Sequence, residues 1–322
     1  MSNLYRMAHT RVPGHLNALA PGVHAYVQPD GGWCLNNAGI IAGDGATLLI
    51  DTAATQSRTE ALRSAAASLT PEPVSYVVNT HHHGDHTHGN YVFADTAQII
   101  GHDLCPGEVA KQGDLLQHLW PEVEWGDVTP VGPTKTFAEA MTLDVGGITV
   151  ELQHLETAHT TNDVVAFIPE HGVLFTGDLV FSGGTPFILM GSLAGSLAAL
   201  EQLGGFGAEH VVSGHGRVGD STMFAVAQRY LHWLRETAEA GLRRGKSPLK
   251  LAKSIELGEF ATLLNPERLP ANLHRAYAEL AAEADAEFGA SADADADEKV
   301  VAAGIADLIA FGGDGARPEC LA

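Results

Sequence analysis

The segment from Thr80 to Asn90 constrains this chain most, because it concentrates metal-binding side chains directly after a predicted strand. Four potential ligands lie within six residues: His81, His83, Asp85 and His86. Residues 74–78, just before them, are an apolar and β-branched run that predicts a buried strand. Side chains alternate along an extended segment, so the first two ligands face one side, while Gly84 permits a turn that aims the last two elsewhere. The spacing predicts two neighbouring metal ions; the alternative is a solvated histidine-rich loop.

Three later candidates also stand at the ends of predicted strands: His159, Asp178 and His215. Asp178 and His215 each follow an apolar run, and His159 lies between two predicted strands. Ligands at strand ends can converge on one edge of a sandwich, so these residues extend the same site. His154 lies five residues before His159 and competes with it.

The order of predicted elements favours strands flanked by helices. In 322 residues of which 45% are apolar, this order predicts a layered α/β sandwich rather than a doubly wound parallel sheet. Residues 284–298 are acidic and low in complexity, which predicts disorder, with a short helix at 300–311. We expect a dimetal domain at 20–220, a packed helical extension at 221–283 and an acidic, mostly disordered and dispensable tail at 284–322.

Charge, hydropathy and cysteine usage exclude several classes of protein. The net charge of −21 argues against a broad basic face for nucleic acid. The sequence has no run of about 18 apolar residues, so no membrane span is predicted. Residues 1–21 lack the apolar segment of a secretory signal. The three cysteines are far apart and odd in number, so they form neither a disulfide framework nor a zinc cluster. We expect a cytoplasmic protein.

Basic residues are concentrated between Arg229 and Lys253, which hold seven of the 18 lysines and arginines. One interpretation is a solvated helical surface. The other is a docking patch for an acidic partner.

The motifs around the candidate ligands resemble those of the metallo-β-lactamase superfamily over about residues 20–220. The matching motifs are His81-x-His83-x-Asp85-His86, Ala158-His159-Thr160, Thr176-Gly177-Asp178 and Gly214-His215-Gly216. The resemblance implies a four-layer αββα sandwich, here with a C-terminal helical extension. It also implies a first metal on His81, His83 and His159. A second metal would lie on Asp85, His86 and His215, with Asp178 bridging the two. His159 is preferred to His154 because the ligand of this superfamily is followed by a threonine and then a strand.

Imidazole and carboxylate ligands suit two zinc ions, with iron or manganese as alternatives. Two ions about 3.5–4 Å apart hold a bridging hydroxide, lower the pKa of bound water towards about 7 and polarise a carbonyl oxygen. We expect Asp85 to handle the proton as well as bind metal. Asp51, an acid at a strand end, is a candidate partner for a ligand histidine. His82 and His88 fall outside the motif and are expected beside the site or in solvent.

Four further segments are similar to second-ring cyclases of bacterial aromatic polyketide pathways: residues 31–39, 119–125, 183–192 and 272–277. Such members of the superfamily close a ring by aldol condensation on a carrier-bound chain and release it by thioester hydrolysis. β-Lactamase action fits poorly, because Asp178 stands where two-zinc lactamases carry a cysteine and no signal peptide is visible.

This narrower resemblance implies a flat apolar wall for an aromatic intermediate, for which five side chains are candidates: Trp33, Trp120, Trp125, Phe187 and Met190. Core packing is the alternative for each. An acidic acyl carrier protein would dock on Arg229 to Lys253. Three functions are considered: a dimetal polyketide cyclase and thioesterase, a general metallohydrolase of lactones, thioesters or other acyl substrates, and a non-catalytic metal-binding protein.

Overall fold

The computed structural model describes residues 12–287, 296–313 and 317–322. Two β-sheets lie face to face. The first has seven strands in the order of the chain: β1 His15–Ala20, β2 Val23–Val27, β3 Ala38–Gly43, β4 Ala46–Ile50, β5 Val74–Val78, β6 Gln98–His102 and β7 Lys135–Phe137. The second has five strands in the spatial order β12-β11-β10-β9-β8: β8 Ala140–Val145, β9 Ile148–His154, β10 Val164–Ile168, β11 Val173–Phe181 and β12 His210–His215.

Helices cover the outer faces of both sheets. Their bounds are α1 Gln56–Leu69, α2 Gly84–Thr87, α3 Cys105–Gln112, α4 Leu115–Leu119, α5 Leu193–Gly204, α6 Thr222–Arg243, α7 Pro248–Ala252, α8 Arg268–Glu287 and α9 Ala296–Phe311. Short 3-10 turns occupy His88–Val92, Pro169–His171 and Gly258–Thr262. The arrangement confirms the predicted four-layer αββα sandwich, and the sheets mix parallel and antiparallel pairs.

Alternation along the strands produces the layers. In β4, Leu48 and Ile50 face the second sheet, whereas Leu49 faces α1 and packs with Leu62. In β11, Phe175 lies between the sheets and Leu174 faces the helices of the other side. Strands β4 and β11 are covered on both faces, which explains why their residues are apolar on both sides.

The C-terminal region differs from the prediction. Helix α9 is packed, not disordered: Leu308 is buried against Phe181, Phe187 and Leu189, because α9 carries an apolar stripe that the acidic composition conceals. Ion pairs between α8 and α9 hold it there, including Arg275 to Asp297 at 2.6 Å. The short helix predicted at 300–311 is confirmed and begins at 296, whereas the disorder predicted for 284–298 is wrong at 284–287 and 296–298, which are helical. Residues 288–295 lie outside the described part.

The last residues also contact the body. Trp120 Nε1 donates a 2.7 Å hydrogen bond to the carbonyl of Pro318, and Arg58 donates to the carbonyl of Leu321. Helices α3 and α4 are separate and are followed by irregular chain to Trp125. Within the described residues, no helix combines the length and apolarity needed to cross a membrane.

Candidate metal centre

Both sheets deliver side chains to one edge of the sandwich. His81 and His83 follow β5, and Asp85 and His86 lie on the single turn α2. From the second sheet, His159 follows β9, Asp178 lies within β11, and His215 ends β12. The edge is thus formed by strand ends from opposite layers.

The predicted ligands fall into two groups, in each of which the candidate ligand atoms lie within 4.8 Å of one another. The first group is His81, His83, His159 and Asp178, and the second is Asp85, His86 and His215. Asp178 lies between them: its Oδ1 is 3.2 Å from His86 Nε2, and its Oδ2 is 3.5 Å from Nε2 of both His159 and His215. This is the position that a bridging carboxylate requires.

The fit to cations shows in buried atoms that make no hydrogen bond. These are Nε2 of His81, Nε2 of His86 and Oδ1 of Asp178, the last two of which lie 3.2 Å apart. Buried polar atoms without hydrogen bonds are costly and rare, so three of them among these ligands fit a site for cations. Their imidazole and carboxylate chemistry suits zinc, iron or manganese.

Hydrogen bonds at the far side of each ring fix how the histidines point. His86 Nδ1 lies 2.7 Å from Asp51 Oδ2, His159 Nδ1 lies 2.5 Å from the Phe187 carbonyl, and His215 Nδ1 lies 3.1 Å from the Gly32 carbonyl. Each Nε2 is thereby aimed into the site. His83 is turned the other way, with Nδ1 2.9 Å from His159 Nε2.

Asp51 has the role predicted from its place at a strand end. Its Oδ2 accepts from His86, and it also accepts from the Thr80 amide and hydroxyl, each at 2.7 Å. The backbone of Asp51 has φ 63°, a conformation that aspartate and asparagine tolerate better than most residues.

Electrostatics prepare the groups for metal. Burial lowers the pKa of His81 and His83, which favours the neutral, ligating form. Burial opposes the charge of His86, but Asp178, Asp51 and Asp85 outweigh it and raise its pKa. A cation arriving at the site can therefore replace a proton held among these carboxylates.

The competing histidine lies elsewhere. His154 stacks on His102 with ring centres 3.9 Å apart, and its Nδ1 lies 2.8 Å from the Asp163 carbonyl. His82 and His88 are both buried beside the site rather than solvated, against Asn162 and the Ala54 carbonyl.

An apolar pocket opens onto the ligands. Trp33, Trp120, Phe187 and Met190 line it as predicted, together with His83, Asp85, Asp178 and His215. Trp125 does not line the pocket. Its Nε1 donates a 2.9 Å hydrogen bond to the carbonyl of Trp120, a residue that does line it. That part of the prediction is wrong, because adjacency in sequence does not show which ring faces the cavity.

Sequence reasoning missed part of the pocket. Arg268, at the start of α8, lines it, as do Ile305, Leu308 and Ile309 of α9. No local pattern marks Arg268, because its neighbours in the pocket come from distant segments. The apolar spacing in α9 was visible but was outweighed by the acidic composition around it.

A family model described as "Metallo-beta-lactamase superfamily" matches residues 31–215, more than half of the chain and the whole span of the seven ligands. The chain belongs to the metallo-β-lactamase superfamily. A solved metallo-β-lactamase from Pontibacter korlensis superimposes with a TM-score of 0.56 at 22% identity, over 68% of this chain and 99% of that one. This likeness shows the fold alone.

Sequence relatives carry several activities. A hydroxyacylglutathione hydrolase from Xanthomonas euvesicatoria is 27% identical over 259 residues, 76% of this chain and 88% of its own length. The alpha subunit of a 2,4-dinitroanisole O-demethylase from Nocardioides is 28% identical over 148 residues, and this match spans only 41% of that relative. Fold and site together give this chain the superfamily's fold with a cluster of histidine and aspartate side chains that could hold metal ions. None of the relatives named here is a polyketide cyclase, so that narrower hypothesis stays a prediction.

Proposed function

We propose that the protein is a dimetal thioesterase, with zinc as the expected metal, for substrates with a bulky apolar acyl group. The observation that carries the proposal is the pocket, whose aromatic wall meets the metal ligands directly. Trp33 lies 5.4 Å from Trp120 and 5.5 Å from Phe187 between ring centres, so the three rings form one aromatic cluster in the wall. The hydroxyacylglutathione hydrolases among its relatives support the thioester class.

In the proposed reaction the ligands, Asp85 and the aromatic wall have separate roles. Metal ions, when bound, polarise a carbonyl oxygen and supply a nucleophile from water at neutral pH. Three of the ligands, His86, His159 and His215, hold fixed positions because their outer ring nitrogens are hydrogen-bonded to the protein. The side chain of Asp85 keeps 13% exposure and its Oδ2 lies 3.2 Å from His215 Nε2, so it is placed to hold a proton at the floor of the pocket. Trp33, Phe187 and Met190 exclude water around the acyl group.

Ring closure is the second candidate, favoured by the same aromatic wall. A site that stabilises the oxyanion of thioester hydrolysis can also stabilise the enolate of an aldol step. We propose it as the polyketide cyclase and thioesterase alternative. Mass spectrometry separates the two reactions on a thioester-linked poly-β-ketone, because hydrolysis releases the open-chain acid, whereas aldol closure followed by dehydration leaves a cyclic thioester.

Docking of an acidic carrier protein is proposed for the surface between Arg229 and Lys253. Several cations there face acids of the same chain: Arg229 pairs with Glu259, and Arg235 with Glu283. At the end of α6 the side chain of Arg243 is 70% exposed, and its ion pair with Glu239 is long, at 3.9 Å. Charge reversal at Arg243, Arg244 and Lys246 should weaken carrier binding, in a salt-dependent manner, and spare hydrolysis of a small free thioester.

The proposed function is tested with two thioesters of N-acetylcysteamine, one carrying 2-naphthoyl and the other acetyl. The naphthoyl substrate should have the larger kcat/KM, since only it fills the aromatic pocket. Asp178→Ala should abolish most turnover and keep the circular dichroism spectrum, whereas Asp95→Ala, at an exposed acid, should change neither. Equal turnover of both thioesters, or faster turnover of a lactone or β-lactam, would contradict the proposal.

A further inference from the structure

Arg268 places a buried positive charge in the wall of the pocket. Its side chain belongs to the first turn of α8 and the residue is 1% exposed. The guanidinium carbon lies 4.2 Å from the centre of the Trp33 ring and 4.7 Å from that of Phe181. The two rings contact the guanidinium by cation–π interaction. Its N–H groups, which lie at the edge of the plane, are the atoms that can donate hydrogen bonds.

The hydrogen-bonding capacity of this guanidinium is incompletely used. Nη1 donates to the Thr185 carbonyl at 2.9 Å, while Nε is buried without a partner. Within the part of the chain that the structure describes, no carboxylate forms an ion pair with Arg268. Such a group is expensive to bury, because the charge has left water without gaining a counter-ion.

The acids near Arg268 are engaged elsewhere. Glu267 accepts from Trp33 Nε1 at 2.6 Å and from Asn265 Nδ2 at 3.2 Å. Asp85 and Asp178 face the histidines of the metal centre. Burial lowers the pKa of Arg268, and these acids offset only part of that effect without hydrogen-bonding to it.

A second arginine on the same helix shows the contrast. Arg275 is also buried, yet its Nη2 lies 2.6 Å from Asp297 Oδ1, and both its Nε and Nη2 donate to the Leu189 carbonyl. The structural arginine of α8 therefore has its counter-ion within the chain. Among the described residues Arg268 has no such counter-ion, and it lines the pocket.

We propose that Arg268 binds a carboxylate carried by the apolar substrate, so that the preferred acyl group has an anionic end held away from the thioester. This inference rests on the proposed function, because it assigns a chemical class to the substrate of the same pocket. A carboxylate matches the planar fork of a guanidinium and supplies the acceptor that Nε lacks. A neutral group of the same shape would leave the charge unpaired.

Binding of 2-naphthoate and 2-naphthamide to the metal-loaded protein, measured by isothermal titration calorimetry, tests the inference without turnover. Wild type should bind the carboxylate about tenfold more tightly than the amide, as expected for a charged hydrogen bond. Arg268→Met should remove that preference by weakening carboxylate binding alone, and Arg268→Lys should keep part of it. Arg275→Met, the matched control, should lower the melting temperature and preserve the preference.

Two results would overturn the inference. If both Arg268 variants keep the preference for the carboxylate, the carboxylate binds the metals and not Arg268. If naphthoate and naphthamide lose affinity equally, Arg268 only holds Trp33 in place. Metal content and circular dichroism are measured for each variant, and the lysine variant decides if the methionine variant does not fold. Failure of the proposed function is a separate outcome. In that case the wild-type protein does not hydrolyse the naphthoyl thioester, whether or not it binds naphthoate more tightly than naphthamide.

Discussion

At the scale of single residues, each ligand histidine depends on the atom that holds its other ring nitrogen. His86 has the strongest such support, since Asp51 is itself fixed by two hydrogen bonds from Thr80. Outer partners of this kind orient the ring and raise its basicity as a ligand. The metal affinity of the second group is therefore expected to depend on a residue that contacts no metal.

Asp51→Asn tests this dependence. Asparagine tolerates the φ of 63° at this position, so the fold should persist, but its amide can no longer accept from all three donors as a carboxylate does. Zinc affinity measured by chelator competition should fall roughly 10- to 100-fold. Asp44→Asn, at a turn remote from the site, serves as the control; equal affinities in all three proteins would refute the role of Asp51.

His159→Ala and His154→Ala decide the third ligand of the first metal. His159 Nε2 faces His83, whereas His154 stacks on His102 outside both groups. Elemental analysis after chelator-free purification should show about one metal fewer per chain for His159→Ala and no loss for His154→Ala. The reverse pattern would exchange their roles.

Local spacing made the seven ligands candidates, and the resemblance to the superfamily assigned them to two metals and preferred His159 to His154. Neither predicted the pocket. Most of the ligands follow apolar runs that favour strands, and strand ends of a sandwich meet at an edge. Trp125 and Arg268 show the limit: whether a ring faces a cavity, or an arginine enters one, depends on packing between distant segments. Such packing leaves no periodic pattern in the chain.

At the scale of elements, α9 shows how closely the C-terminal segment fits the body. A Cβ on Gly304 would lie 2.4 Å from Cδ1 of Leu189, a side chain that is completely buried. Glycine weakens a helix, so its presence here is explained by the close approach and not by propensity. The packing of α9 argues against the expectation of a dispensable tail, which truncation would test.

Gly304→Val should therefore destabilise the protein even though it removes a helix-weakening glycine. Overpacking against Leu189 should cost about 1–3 kcal/mol. Ala303→Val, at an exposed position of the same helix, should cost at most about 0.7 kcal/mol through helix propensity alone. Thermal unfolding followed by circular dichroism gives both values; similar melting temperatures for the two variants would mean that α9 does not pack as described.

At the scale of the whole molecule, the metal centre joins the two sheets. Four ligands follow β5 of the first sheet, and three come from strands of the second. The layered fold could be predicted because helices flank a larger number of predicted strands, and the four-layer order was implied by the resemblance to the superfamily. The edge strands β7 and β8 could not, since neither has the long apolar run that identifies a buried strand.

Removal of the metals should lower the stability of the entire sandwich. A ligand that binds only the folded state stabilises it by about 2.7 kcal/mol at a free concentration one hundred times its dissociation constant. The melting temperature should fall on dialysis against a chelator and rise again with added zinc. In Asp178→Ala the response to zinc should be smaller; a melting temperature insensitive to the chelator in wild type would contradict a site shared between the sheets.

The metal ligands and part of the pocket wall come from different stretches of the chain. All seven ligands lie within residues 31–215, the span matched by the family, whereas Arg268, α9 and Pro318 lie beyond it. Reaction chemistry and substrate choice can consequently evolve independently. A lineage could exchange its last segments for others, keep every metal ligand, and present the same reactive centre to a differently shaped molecule.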